Sequence, residues 1–361
     1  MPSAHRVFDR GMPVLGPKSR DDQGRWEFGG DSRLRNSGGT PEIAPGLRAN
    51  IRPLHNRSSI IDWLLETDPS IRWQVMRDLT DTPAEVVAAE RARVATEGWA
   101  PRLLDQQRAD GYWGDGLDTP LWWSNLYTLL FLRDLGIDPA SAPARTAIDR
   151  VRNNVTWGPW QDYSSFFEGE VEPCINGRVV ALGAYFGARS DRLVDRLLSE
   201  QLADGGWNCE AERGSVRSSF HTTICVLEGL LAFENAFGAA TPVTDARRRA
   251  QEYLLDRRLL RRLSTGAVIE PAWTQLAFPT LWHYDVLRAL DYLRAAAVPP
   301  DARVEEAVAI VLERRRPDGR WLLDVRHPDT LHAECAGNVG APDRWITLRA
   351  LRVLDWHARR V

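Results

Sequence analysis

Lysine is nearly missing from this chain of 361 residues: Lys18 is the single lysine among 46 basic residues, and arginine supplies the rest. Lys18 stands in an aperiodic N-terminal stretch, which leaves no lysine for Schiff-base chemistry or a phosphate-binding loop. The arginine bias itself reads as base composition rather than function. Cysteine is scarce as well. Cys174, Cys209, Cys225 and Cys335 are too few and too scattered for a disulfide framework, so they are expected to be free thiols or metal ligands. No run of eighteen apolar residues is present, which excludes a membrane-crossing helix. The first twenty residues are broken by charge and resemble no secretory signal, so the expected location is cytoplasmic. Strong charge of either sign is also absent. A net charge of −3 gives no electrostatic footprint for nucleic acid or an anionic membrane.

What is present is enough apolar residue, 43%, to build a sizeable core beneath an ordinary charged surface. The first fifty positions hold eight glycines and five prolines with no apolar stripe. Residues 1–56 are therefore expected to be a disordered or loosely docked arm, and residues 57–361 the folded domain. From Ser58 the pattern turns helical. Ile60, Ile61, Leu64 and Leu65 recur at helix spacing, followed after Pro69 by Ile71, Val75, Met76 and Leu79.

A repeated motif organises everything downstream. Gln107 to Trp113, Gln201 to Trp207 and Arg315 to Trp321 share the plan Gln/Arg-x-x-Asp-Gly-x-Trp. Asp-Gly suits a tight turn at a helix end, because glycine tolerates positive φ, and the tryptophan can fold back to pack between neighbouring helix pairs. The helices after these staples are also alike. Val226 to Leu230, Val286 to Leu290 and Thr347 to Leu351 superpose without gaps, placing Gly229, Ala289 and Ala350 in register. Six such helices, starting near residues 70, 119, 172, 218, 280 and 342, alternate with amphipathic stretches that read as an outer layer. The expected fold is all-α: an (α/α)6 toroid in which six helix pairs close a ring.

The staple with alternating inner and outer helices resembles the terpenoid cyclase and protein prenyltransferase superfamily, squalene cyclase-like proteins included, over roughly residues 58–357. The resemblance implies an isoprenoid-handling enzyme with a hydrophobic substrate. It is incomplete in one respect. The Asp-x-Asp-Asp acid motif of squalene-type cyclases is missing, and Asp78-Leu-Thr-Asp81 has the wrong spacing, so protonation by that motif is not expected. Prenyltransferase β subunits, which have one toroid, are implied to offer a zinc site instead.

Register gives the candidate site residues. Relative to the shared pentapeptides, Cys174, His221 and His283 fall in first turns of successive inner helices, and Cys209 lies on the loop that leads to His221. Cys174, Cys209 and His221 are therefore the expected zinc ligands, at the N-terminal rim of the inner helices, where helix ends would favour thiolates. The same residues also read as two small buried hydrophobes and a core imidazole. Trp122, Trp123, Trp282, Tyr284 and Trp345 fall near the same level and suit a hydrophobic substrate or a carbocation. Glu172 and Arg344 join them as substrate-binding candidates, while His221, His283 and Asp285 are candidates for proton transfer. Asp343 reads as a helix N-cap. Glu228 is mid-helix, and becomes a buried acid with a shifted pKa if its face lines the cavity. Two other functions fit this sequence: a zinc-dependent thiol cyclase resembling lanthionine cyclases, and a non-catalytic toroid that binds a hydrophobic ligand or peptide.

Overall fold

The computed structural model describes residues 57–359 apart from 118, 119 and 329, so the arm expected over residues 1–56 lies outside the described residues. Among the described residues thirteen α-helices follow one another: α1 (Arg57–Leu65), α2 (Pro69–Leu79), α3 (Ala84–Ala92), α4 (Trp99–Asp105), α5 (Leu121–Leu135), α6 (Ala142–Asn154), α7 (Pro173–Phe186), α8 (Asp191–Ser199), α9 (Phe220–Phe237), α10 (Thr241–Asp256), α11 (Val286–Ala295), α12 (Glu305–Glu313) and α13 (Arg344–Ala358). No strand forms among the described residues, only isolated bridges.

The inner layer is α2, α5, α7, α9, α11 and α13. Of these, α5, α7 and α9 are largely apolar through their length, because they are covered on both sides; α9, for example, buries Ile224, Val226, Leu227, Leu230 and Phe233. The outer helices bury one stripe only, as α8 does with Leu193, Val194 and Leu197. Contacts run round the ring. Trp73 of α2 donates through Nε1 to Leu135 O of α5 at 3.0 Å, α5 packs on α7 and α7 on α9, and Arg288 of α11 reaches Glu228 of α9 at 2.6 Å. α13 packs on both α11 and α2, which closes the circle. Arg57 clamps the seam with two hydrogen bonds to Asp355, at 2.9 and 2.6 Å.

The three staples have one construction. Each indole N–H donates to a carbonyl ten residues earlier, on the preceding outer helix: Trp113 to Leu103 at 2.7 Å, Trp207 to Leu197 at 2.6 Å and Trp321 to Val311 at 2.7 Å. Each tryptophan backbone N–H donates to the following inner helix, at Asn125, Thr223 or Thr347. The staple thus nails outer helix, turn and inner helix together, and Gly111, Gly205 and Gly319 take the left-handed φ of 88°, 100° and 84° that the turn demands. Gln107 and Gln201 extend the tie to the next outer helix by donating to Ala147 O and Ala246 O.

Candidate functional site

Glu172 precedes α7 and Cys174 sits in its first turn, while Cys209 follows the second staple on the loop toward α9. The fold brings these three together. One ligand atom from each of Glu172, Cys174 and Cys209 lies within 4.8 Å of the other two, and all three residues are half-buried. Cys174 Sγ donates to Glu172 Oε2 at 3.5 Å, and Cys209 Sγ lies 3.4 Å from Thr222 Oγ1 at the start of α9. The convergence of Cys174 and Cys209 follows from the register of α7 and the staple. The third donor is Glu172 rather than the expected His221. His221 Nδ1 accepts from the Tyr284 backbone N–H at 2.9 Å, so that nitrogen is not available to a metal. Burial, helped by the neighbouring His283, lowers the His221 pKa to about 3, which keeps the imidazole neutral with its proton on Nε2. The expected thiolate is corrected too: the hydrogen bond with Cys209, then burial, pushes the Cys174 thiol well above its ordinary pKa, against any pull from the helix end. Behind Glu172, the buried Glu170 accepts its backbone N–H at 2.7 Å, and burial followed by the charge of Glu172 raises the Glu170 carboxyl to about 8.

The aromatic candidates fall into two groups. Trp122 meets Trp123 edge-on at 5.5 Å, Trp282 stacks on His283 at 3.9 Å, and His283 stacks on His327 at 3.6 Å. His221 lies 5.2 Å from Trp282. Three other candidates are committed elsewhere. Tyr284 is a core residue whose hydroxyl donates to Leu259 O at 2.6 Å. Asp285 is the N-cap of α11, accepting from Arg288 N at 2.7 Å, and Asp343 caps α13 in the same way through Ile346 N at 2.8 Å. Arg344 turns outward, over the Trp63 ring at 4.6 Å. Trp345 leaves the rim group for a different reason, since it faces the ring's interior.

That interior is a cavity of about 460 Å³ to which all six inner helices contribute, through residues such as Trp73, Tyr127, Arg178, Glu228, Arg288 and Trp345. Its size falls within the roughly 300–1,000 Å³ of small-molecule pockets. Phe278, Pro279, Thr280 and Leu281, from the loop before α11, plug part of its wall. Arg178 and Arg288 hold that plug by donating to Leu281 O, and Phe278 stacks on Trp345 at 4.6 Å. Glu228 does line the cavity. Burial pushes its carboxyl pKa up, but Arg288 grips both oxygens at 2.8 and 2.6 Å and brings it below the ordinary range. Most of the polar wall was missed in the sequence. The available signal was the third position of the repeated pentapeptides, where Glu228, Arg288 and Arg349 are charged amid apolar neighbours and all face the cavity.

No helix among the described residues is long and apolar enough to cross a membrane. Neither a family model nor a curated protein matches the chain. Among solved structures, the chain is similar to a type II terpene cyclase from Scytonema, with 19% identity over 86% of this chain and 100% of that one, at a TM-score of 0.44. The same cyclase carrying an Arg-to-Ala substitution, in complex with its substrate geranylgeranyl dihydroxybenzoate, matches with 18% identity over 85% and 99% at 0.43. A polysaccharide lyase matches with 11% identity over 84% and 98% at 0.46.

Proposed function

We propose that the chain is an isoprenoid-handling toroid enzyme, prenyltransferase-like or terpene cyclase-like, that works at the N-terminal rim of its inner helices without an Asp-x-Asp-Asp acid. The observation that supports it is the convergence of Glu172, Cys174 and Cys209. Two sulfurs and a carboxylate oxygen are a donor set that suits zinc, and donor atoms that lie within 4.8 Å of one another would close to about 4 Å or less around a common centre with bonds of about 2.0–2.3 Å. A zinc ion there would leave a fourth position open and supply a water or thiol held in its anionic form near neutral pH. Trp122, Trp123 and Trp282 present ring faces to a hydrocarbon chain or a developing cation. His221 stays neutral and acts as a donor through Nε2, while His283 is the rim's remaining proton-transfer group. Tyr284, Asp285 and Arg344 drop out of this reading, because their polar atoms serve the core, a helix cap and an outer contact.

Elemental analysis of the purified full chain tests the site. One zinc per chain is expected in the wild type and less than about a tenth of that in Cys174→Ser/Cys209→Ser, with His221→Asn retaining the metal. Equal zinc in wild type and double variant would remove the rim site. A prenyl chain retained in native mass spectra, or transferred in solution, separates this enzyme from a thiol cyclase.

A further inference from the structure

We propose that the central cavity is a binding site for a small polyanion, a molecule with at least two phosphate or carboxylate groups on an apolar or planar remainder. The cavity walls carry positive charge that they do not neutralise. Arg288 is paired with Glu228, Arg133 with Asp134 and Arg349 with Asp291, while Arg77 and Arg352 share Asp78. Among the described residues Arg91 and Arg178 pair with no carboxylate of their own, and Glu228, whose charge reaches Arg178, is held by Arg288. Arg91 donates to Gly136 O at 2.9 Å and Tyr185 Oη at 3.1 Å. Arg178 donates to Leu281 O and to Cys225 Sγ, and its guanidinium lies 5.3 Å from the Tyr127 ring. Seven cavity guanidiniums against the four carboxylates named leave three positive charges in excess.

Burial sharpens the imbalance. Arg178 is 5% exposed and its Nε has no hydrogen-bond partner; Arg352 is 8% exposed and its Nε has none either. A buried cation that shares its counter-charge with another guanidinium, as Arg178 shares Glu228 with Arg288 and Arg352 shares Asp78 with Arg77, is poorly compensated, and an anionic ligand supplies the missing charge. Guanidinium is also the donor that meets carboxylate and phosphate in a planar, bidentate fashion. The charges enter from α2, α3, α5, α7, α11 and α13, on several sides of the space, which suits a ligand with more than one anionic group. Phe131, Phe278 and Trp345 supply apolar wall for the rest of it. Metal at the rim is not required for any of this.

Calorimetric titration of the full chain in magnesium-free buffer at low salt tests the proposal, with inorganic pyrophosphate and tricarballylate as the two probes. Binding of either is expected at one per chain and weakens as salt is raised; pyrophosphate ahead of tricarballylate assigns a phosphate ligand, the reverse a carboxylate one. Arg178→Met should weaken binding at least tenfold, whereas Arg344→Met, on the outer face, and Cys174→Ser/Cys209→Ser, at the rim, should bind as wild type does. Should Arg178→Met fail to fold, Arg91→Met decides in its place. No binding of either anion at millimolar concentration overturns the proposal, and so does equal affinity in wild type and the cavity variant. Loss of binding in the rim variant but not in the cavity variant also overturns it, by placing the anion at the thiols.

Discussion

Trp207 is fully buried and fixes three pieces of chain at once, through Leu197 O, Thr223 and its own packing. Trp207→Ala should therefore cost about 3–5 kcal/mol of unfolding free energy, measured in urea, with the affinity of the remaining folded protein for its ligand unchanged. A second residue gives a pH signature. The His221 pKa is lowered from 6.5 to about 3 by burial, so the unfolded chain takes up a proton in acid that the folded chain refuses. Its contribution is fully present above pH 6.5 and is lost as pH falls toward 3; between pH 7 and pH 5 that amounts to about 1–2 kcal/mol. His221→Asn keeps an acceptor for the Tyr284 N–H and should remove this part of the acid sensitivity, which urea titrations at the two pH values would read. Residues of this kind were only partly legible beforehand. Helical register sufficed to place Cys174 and the staple to place Cys209, but nothing in the order of residues shows that the Tyr284 N–H will claim His221. The arginines escaped for another reason: with lysine virtually absent, an arginine carries little positional information.

At the scale of helices, α7 and α9 form the most intimate pair of the ring. A Cβ on Gly229 would lie 2.1 Å from Gly177 O, and one on Gly177 would lie 2.7 Å from Cys225 O, so the two backbones touch where both lack side chains. Gly229→Ala should push α9 off α7 and cost about 2 kcal/mol or more in thermal or urea unfolding. An Ala350→Gly change at the register-equivalent position of α13 should cost only about 1 kcal/mol, through helix propensity. The periodic pattern gave the helices well: α6 spans the residues expected of it, and five of the six inner helices start within two residues of their expected positions. α11 is the exception, beginning at Val286 instead of near residue 280. Trp282 to Asp285 has the look of a first helical turn, yet Asp285 is the cap and Leu281 adopts a left-handed φ of 47°, so the preceding residues cross the ring as a plug. That plug took His283 and Tyr284 off the helix on which register had placed them. Local pattern does not encode it, because its anchors, Arg178 and Arg288, are 103 and 7 residues away.

For the whole molecule, the ring follows from three staples and six inner helices, and both were readable because each unit must bury its faces against a neighbour. Residues 1–56 lack such faces in sequence, and we expect deletion of residues 2–53 to leave the melting midpoint within about 2 °C. A fall of more than about 8 °C, roughly 2–4 kcal/mol for a domain of this size, would show that they pack into the ring. The seam where α13 meets α2 carries a consequence in time. Arg352 bonds Gln74 across 278 residues of chain. At roughly 5–20 residues per second of synthesis, the first inner helix leaves the ribosome tens of seconds before the helix that covers its free side. During that wait the growing chain is a crescent with an exposed edge, and a neighbouring copy whose α13 has just emerged offers the missing helix as well as the chain's own tail later does. Two such copies lying close together can thus complete each other by exchanging α13, giving an intertwined pair built from the same contacts as the closed ring.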